Sequence, residues 1–272
     1  MIPTRGRPAY LDVALASIVP QAADEDAELI VVNDGGDPGT AAVAARHGAA
    51  VVVPATPGAN AARNAGIATA CGDLIVLLDD DVEAPAGWLA NLLAGVAAAP
   101  GHDVFGGPIR ARLEGGGPRS CGREAPPVTT LDRGPVDRDV DLVWSANMAI
   151  RRSAVERVGR FDEDLRGRGE EEAWERRYRA LGGRVRYVAA AGLDHRRTAA
   201  DATLARLARA AFAHGRNARR YDVRKGAAPS LAGELRVLAG CLWHIVRRRC
   251  ANGIVLAAHS AGRLREARTR RR

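Results

Sequence analysis

Leu74-Ile75-Val76-Leu77-Leu78-Asp79-Asp80-Asp81 is the stretch that decides the fold. Five consecutive aliphatic residues make a strand buried on both faces, and three carboxylates stand at its C-terminal end. Glu28-Leu29-Ile30-Val31-Val32-Asn33 and Ala50-Val51-Val52-Val53 are runs of the same kind. Helical patterns lie between them. Leu11, Leu15 and Ile18 share one face after Pro8, and residues 58–70 form an Ala-rich helix. Pro85 is suited to open a helix carrying Trp88, Leu89, Leu92, Leu93 and Val96. Repeated β-α-β at this spacing predicts an α/β fold, a Rossmann-like, mostly parallel sheet flanked by helices. Such sheets bind ligands beyond the carboxyl ends of their strands, so the residues just after each strand are the candidates for chemistry.

Composition sets the outer limits. At 272 residues the chain is one large domain, or one domain with an appendage. A 26% charged fraction beside 47% hydrophobic residues excludes a disordered chain, and with only 4% aromatics the core falls to Ala, Val and Leu. There is no run of about 18 uncharged apolar residues, hence no expected membrane span. Met1-Ile2-Pro3-Thr4-Arg5 carries no apolar signal-peptide core, which predicts a cytoplasmic protein. Cys71, Cys121, Cys241 and Cys250 include no C-x-x-C pair, so the expectation is reduced thiols without zinc-ribbon spacing or a disulfide framework.

The net charge of +8 is unevenly spread. Residues 1–150 hold 10 basic and 19 acidic side chains, residues 201–272 hold 17 and 4. A basic tail suits an anionic surface, and Arg on solvated helix faces is the plainer alternative. Phe212, Tyr221 and Trp243 are too sparse there for nucleic-acid stacking, so no nucleic acid is expected as partner. Leu235, Leu238, Leu242, Ile245 and Val246 make an apolar stripe before Arg247-Arg248-Arg249. Such a helix either lies on the anionic inner face of the cell membrane or packs on protein, its own or a second copy in a homodimer.

Residues 106–140, rich in Gly, Pro and Arg, read as a long excursion and a candidate lid. Order returns at Val143-Trp144 and Met148-Ala149-Ile150, with helices expected from Ser153, over 170–181, over 200–221 and over 231–268, and a strand over 185–188.

Several groups could do chemistry. Crowded carboxylates raise one another's pKa, and a hard divalent cation, Mg²⁺ or Mn²⁺, relieves that cost at Asp79, Asp80 and Asp81; a solvated acidic turn is the alternative. Asp34, in Asn33-Asp34-Gly35-Gly36, either accepts hydrogen bonds from a ribose or base or merely forms an Asx-turn. Thr4-Arg5-Gly6-Arg7-Pro8 precedes a helix N-terminus and suits an anion, and Arg63 is a lone Arg in an Ala-rich helix start. Glu170, Glu171 and Glu172 open a helix, where the dipole favours acids and where a general base can equally be presented. His195 is a candidate ligand for the same cation.

In order along the chain these pieces resemble glycosyltransferase family 2 with the GT-A fold, over roughly residues 1–200. The match runs through Ile2-Pro3-Thr4-Arg5, Val31-Val32-Asn33-Asp34-Gly35, Ala62-Arg63-Asn64-Ala65-Gly66, Leu78-Asp79-Asp80-Asp81, Asn147-Met148-Ala149-Ile150-Arg151-Arg152, Phe161-Asp162-Glu163 and Gly169-Glu170-Glu171-Glu172-Ala173-Trp174. The resemblance implies that Thr4, Arg5, Asp34 and Arg63 line a nucleotide pocket. Asp79 and Asp81 match the family's D-x-D, the first toward the ribose and the second toward the metal, with Asp80 between them on the donor side. Asn147 would lie near the acceptor beside Gly106-Gly107. Glu171, beside Glu170, stands where the family usually has the Asp of its Glu-Asp pair, and would be the base. His195 would sit near metal and diphosphate, and Arg197 would help hold the leaving group.

The implied organisation is a GT-A catalytic domain over 1–225, with a nucleotide-sugar half (1–105) and an acceptor half (106–225), then a basic helical extension over 226–272. The implied activity is inverting, metal-dependent transfer from a nucleoside-diphosphate sugar to a glycan, lipid-linked or natural-product hydroxyl. Two other classes compete. A nucleotidyltransferase would need a Gly-rich phosphate loop where the chain has Pro3-Thr4-Arg5-Gly6-Arg7. A non-catalytic nucleotide- or polyanion-binding protein would leave Asp79, Asp81 and Glu171 without a purpose.

Overall fold

The computed structural model describes residues 1–124 and 127–269. Contacts divide them into two units. The first holds residues 1–111, 130–164 and 170–196; the second holds 112–129, 165–169 and 197 onward.

The first unit begins with β1 (Ile2–Thr4), α1 (Pro8–Asp24), β2 (Ile30–Asn33), α2 (Pro38–Arg46), β3 (Ala50–Val52), α3 (Ala59–Thr69) and β4 (Leu74–Leu78). The apolar stripe of α1 is buried as its spacing predicts, with Leu11, Leu15 and Ile18 at 3% exposure or less. Each such side chain contributes roughly 1.5–3 kcal/mol on leaving water. Asp37 caps α2, its carboxylate accepting from the Thr40 amide at 2.7 Å. Strands β1, β2 and β3 form a parallel ladder, Ile2 beside Val31 and Val31 beside Val51. Met1 joins this ladder to β4, its nitrogen donating to the Val76 carbonyl (2.7 Å) and its carbonyl accepting from Leu78 (3.1 Å).

Next come β5 (Val82–Glu83), α4 (Trp88–Ala98), β6 (Val104–Gly106), β7 (Ile109–Leu113), β8 (Arg138–Val140), β9 (Asn147–Arg151), α5 (Arg152–Val158), α6 (Glu170–Ala180), β10 (Val185–Tyr187) and β11 (Leu193–Arg197). Pro85 does not open α4. Gly87 takes the left-handed conformation at φ 79°, and the helix starts at Trp88, whose amide turns back to the Pro85 carbonyl. The central sheet runs β4-β9-β6-β10-β8. Strand β9 lies antiparallel between β4 and β6, so the all-parallel start gives way to a mixed sheet. A smaller sheet runs β5-β11-β7. The 106–140 excursion therefore carries β7, a short 3₁₀ turn and β8 rather than one open loop, with residues 125–126 outside the described set. Trp88, Trp174, Phe105, Tyr178 and Tyr187 are the largest side chains of the core, all at 1% exposure or less.

The second unit is helical: α7 (Leu204–Arg224), α8 (Leu231–Arg248) and α9 (Asn252–Thr269). The helix expected over 231–268 is two, broken at Arg249, which adopts a left-handed φ of 49°. Helices α7 and α9 cross with almost no side chain between them. A Cβ on Gly215 would meet the His259 carbonyl at 2.0 Å, and one on Gly262 would meet the Phe212 carbonyl at 2.1 Å. Among the described residues no helix is long and apolar enough to cross a membrane.

Candidate active site

The cleft is built where β4 ends. Asp79, Asp80 and Asp81 follow Leu78, and β5 then pairs antiparallel with β11, placing His195 opposite Val82. The Arg196 amide donates to the Asp81 carbonyl at 2.7 Å, which locks the returning strand one residue from the carboxylates. His195 Nε2 consequently stands 2.9 Å from Asp81 Oδ1, both side chains buried. One oxygen or nitrogen each from Asp79, Asp81 and His195 lie within 4.8 Å of one another. Two carboxylates and an imidazole make a donor set suited to Mn²⁺ or Mg²⁺.

Arg7 holds the same carboxylates from the other side. Its Nη2 lies 2.7 Å from Asp81 Oδ2 and its Nη1 2.8 Å from Asp80 Oδ1, with the guanidinium 4.3 Å from the Tyr10 ring centre. The Thr4 hydroxyl donates to Asp80 Oδ2 at 2.6 Å. Burial pushes the Asp80 carboxyl up to about 6, against the pull of Arg7. Burial also raises Asp79, aided by the charge of Asp81 and opposed by His195 and Arg63. In the sequence Arg7 stands out only as part of an anion-binding segment. Its spacing of three residues from Thr4 gives no sign that both reach the acidic triplet.

Asp34 leaves the end of β2. Its Oδ2 accepts from the Gly58 amide at 3.2 Å, and the largely exposed Arg5 approaches to 3.9 Å. Its Oδ1 is buried and has no hydrogen-bond partner among the described residues. A buried, unpaired acceptor at a strand end suits a hydroxyl or amine donor from a ligand.

Across the cleft, α3 presents Arg63 and α6 presents Glu171. Arg63 Nη2 reaches Glu171 Oε1 at 3.1 Å and Ser145 Oγ at 2.7 Å, while the Ser145 hydroxyl donates to the same Glu171 oxygen. Burial acts to raise the Glu171 carboxyl, but Arg63 and the Ser145 hydroxyl outweigh it and hold it below the ordinary glutamate value. Glu170 is buried beside it. One turn on, Glu175 is fully buried, accepts from the Val143 amide at 3.0 Å, and is raised well above its ordinary value by burial. Neither Ser145 nor Glu175 stands out in the sequence; the i, i+4 spacing of Glu171 and Glu175 is the available sign.

Asn147 and Gly107 form the wall. Asn147 sits opposite Leu78 on β9, fully buried. It accepts from Trp88 Nε1 (3.1 Å) and donates to the carbonyls of Ala191 (2.7 Å) and Pro108 (3.2 Å). A Cβ on Gly107 would stand 2.0 Å from the Ala191 carbonyl, so only glycine fits. Arg197, the last residue of β11, is grouped with the second unit, where its charge helps lower the His214 pKa after burial. The cleft thus gathers Thr4, Asp34, Arg63, Asp79, Asp80, Asp81, Glu171 and His195 within the first unit.

A sheet whose strand-end carboxylates are paired with a histidine on a returning strand fits the GT-A class of α/β proteins. The profile of glycosyl transferase family 2 matches residues 1–159, and the chain belongs to that family. It is 35% identical over 152 residues to the pre-mycofactocin glycosyltransferase of Mycobacterium tuberculosis, in two strains, covering 53% of this chain. The chain spans about a third of the length of these curated relatives, 31%. Two solved structures share the fold. GalNAc-T7 with UDP, GalNAc and Mn²⁺ aligns with a TM-score of 0.57 and 16% identity over 78% of this chain and 47% of its own. The mannosyltransferase PcManGT of Pyrobaculum calidifontis, in complex with GDP-Man and Mn²⁺, aligns with a TM-score of 0.56 and 17% identity over 98% of this chain and 74% of its own.

Proposed function

We propose that the protein transfers a sugar from a nucleoside-diphosphate sugar to an acceptor hydroxyl, with inversion and with the help of a divalent cation. The observation that carries this is the meeting of two charge systems in one cleft: the Asp79-Asp81-His195 cluster and the Arg63-held Glu171, near enough that Asp79 feels His195, Arg63 and Glu171. The bound UDP or GDP-Man and Mn²⁺ of the two fold relatives support the same reading.

In this reading Asp34 and Arg5 hold the nucleoside, and Thr4, through Asp80, shapes the pocket floor. Asp79, Asp81 and His195 would hold the cation, which when bound neutralises charge on the departing diphosphate. Glu171 carries no proton at neutral pH and takes one from the acceptor hydroxyl. The acceptor oxygen bonds to the anomeric carbon as the bond to the diphosphate breaks on the opposite face, and the centre inverts. Glu170 braces the helix start, and Gly107 and Asn147 shape the acceptor wall. This machinery lies within residues 1–225, leaving 226–272 as an extension.

Glu171→Gln is expected to lose about 10²–10⁴-fold in turnover while retaining donor affinity. Asp81→Ala is expected to lose Mn²⁺-dependent donor binding by calorimetry. Turnover of Glu171→Gln near that of the parent chain refutes the base assignment, and pyrophosphate release from a nucleoside triphosphate assigns nucleotidyl transfer instead.

The extension has a proposed location. Leu242, Trp243 and Val246 are exposed at 51%, 68% and 74%, and Arg247-Arg248-Arg249 follow directly. An apolar face edged with arginine suits the anionic inner surface of a membrane. Trp243→Glu with Val246→Glu is expected to abolish flotation with vesicles containing phosphatidylserine; unchanged flotation removes the lipid role.

A further inference from the structure

Cys121 and Cys250 are 129 positions apart, and no spacing rule links them. The second unit nevertheless brings them together. Cys121 and Glu124 lie on the segment after β7, His244 on the last turns of α8, and Cys250 in the corner between α8 and α9. One donor atom from each of the four lies within 4.8 Å of the others. Cys121 Sγ is 3.4 Å from His244 Nε2 and 3.4 Å from Glu124 Oε2. Cys250 Sγ is 2.9 Å from Glu124 Oε1, and the same carboxylate oxygen contacts His244 Nε2.

We infer that Cys121, Glu124, His244 and Cys250 form a structural zinc site in the helical unit, separate from the carboxylate cluster of the cleft. Two sulfurs, one imidazole nitrogen and one carboxylate oxygen are a borderline-soft, four-member set, the number and kind that close a tetrahedral Zn²⁺. Zinc–ligand bonds of about 2.0–2.3 Å put tetrahedral ligand atoms roughly 3.3–3.8 Å apart; the two Cys121 contacts, 3.4 Å each, fall in that range, while the Glu124 carboxylate lies closer to Cys250 and His244. Four protein ligands leave no open position, so the role is structural rather than catalytic. Binding releases the two thiol protons to solvent and changes no oxidation state.

The surroundings are those of a metal site. The Cys121 amide donates to Cys250 Sγ at 3.3 Å, the kind of backbone contact that orients a metal-bound sulfur. The Asn252 amide donates to the Arg119 carbonyl at 3.2 Å, so the two ligand-bearing segments are also joined by backbone. Gly253 leaves room for the imidazole, since a Cβ there would stand 3.2 Å from His244 Cδ2. Arg247-Arg248-Arg249 lie between His244 and Cys250 in sequence, so the chain that carries these two ligands is basic. The metal would pin the 112–129 segment to the α8–α9 corner.

Cobalt is the probe that separates this site from the cleft, because only the four-residue cluster contains sulfur. The full chain, reduced and stripped with chelator, is titrated with Co²⁺. The expected result is one equivalent giving a thiolate-to-cobalt charge-transfer band and the strong visible bands of four-coordinate Co²⁺, both displaced by Zn²⁺. Cys250→Ser and His244→Ala are each expected to weaken binding at least tenfold, while Cys71→Ser and Cys241→Ser leave it unchanged. Should the ligand variants fail to fold, zinc content of the untreated chain at one equivalent, with a fall in melting temperature on chelation, carries the test. Absence of the charge-transfer band overturns the site, as does a band that survives in the Cys121→Ser, Cys250→Ser double variant. A Cys121–Cys250 disulfide, seen as a two-hydrogen mass deficit before reduction, overturns it too. None of these readouts depends on transferase activity.

Discussion

Asp81 divides its carboxylate between His195 on one oxygen and Arg7 on the other. A buried charge with two fixed partners is tolerable only while both remain, so the pair of bonds makes Asp81 a hinge between β4 and β11 as well as a candidate ligand. Glu175 shows the opposite economy. It is fully buried, held by the Val143 amide, and its pKa is raised well above the ordinary value. Because the folded value exceeds the unfolded one, the folded state binds the extra proton, and this group lowers stability as pH rises above about 4.5. Glu175→Gln keeps the Val143 bond without the charge. Its melting temperature is expected to exceed that of the parent at pH 8, with the gain shrinking toward pH 4.5. Every tenfold by which folding tightens the hold on that proton corresponds to about 1.4 kcal/mol. An equal difference at both pH values would mean that Glu175 does not titrate as stated.

Strands β2 and β4 are legible in the sequence because their aliphatic runs leave no polar alternate positions; β2 is buried throughout, whereas Leu74 and Val76 of β4 are half-buried and β3, expected to be a buried run of the same kind, is largely exposed. The face of α1 was equally plain. The breaks were not, since they depend on single dihedral choices: Gly87 ends the reach of Pro85, and Arg249 splits the last helical stretch. Most residues of the candidate site stand out in the sequence too, as strand-end carboxylates and a helix-start glutamate. Their partners were not, because Arg7, Ser145 and the pairing of His195 with Val82 depend on sheet register, which emerges only from long-range packing. Element packing also explains Gly107. Substituting Ala drives a methyl group into the Ala191 carbonyl, which also anchors Asn147. Gly107→Ala is expected to cost about 1–3 kcal/mol by denaturant unfolding and to weaken Mn²⁺ binding as β11 shifts. Stability matching the parent would show that the wall can yield.

At the scale of the whole molecule, part of the positive charge of the C-terminal quarter is held in internal ion pairs. The four acidic residues of 201–272 are each paired with arginine: Asp201 with Arg206, Asp222 and Glu234 with Arg263, Glu266 with Arg216 and Arg220. Glu234, at 2% exposure, also meets Arg219. Much of what composition marks as a basic tail is thus the internal fastening of α7, α8 and α9. Glu234→Ala takes the carboxylate from Arg219 while Arg263 keeps Asp222, and is expected to cost about 1–3 kcal/mol by denaturant unfolding. A change under about 1 kcal/mol, the range of exposed pairs, would show these bridges to be solvated decoration. The zinc ligands were illegible for the same reason as the sheet register, since helix packing alone brings residue 121 to residue 250. The pairing of β5 with β11 carries a last implication for biosynthesis. Asp79 and Asp81 leave the ribosome more than a hundred residues before His195. Until that strand docks, Arg7 and Arg63 are the cations acting on the nascent acidic turn, so a stalled or truncated chain lacks His195 of the candidate ligand set. Cation-dependent protection from protease should therefore appear only once translation has passed β11, making the site a reporter of completed synthesis of the catalytic sheet.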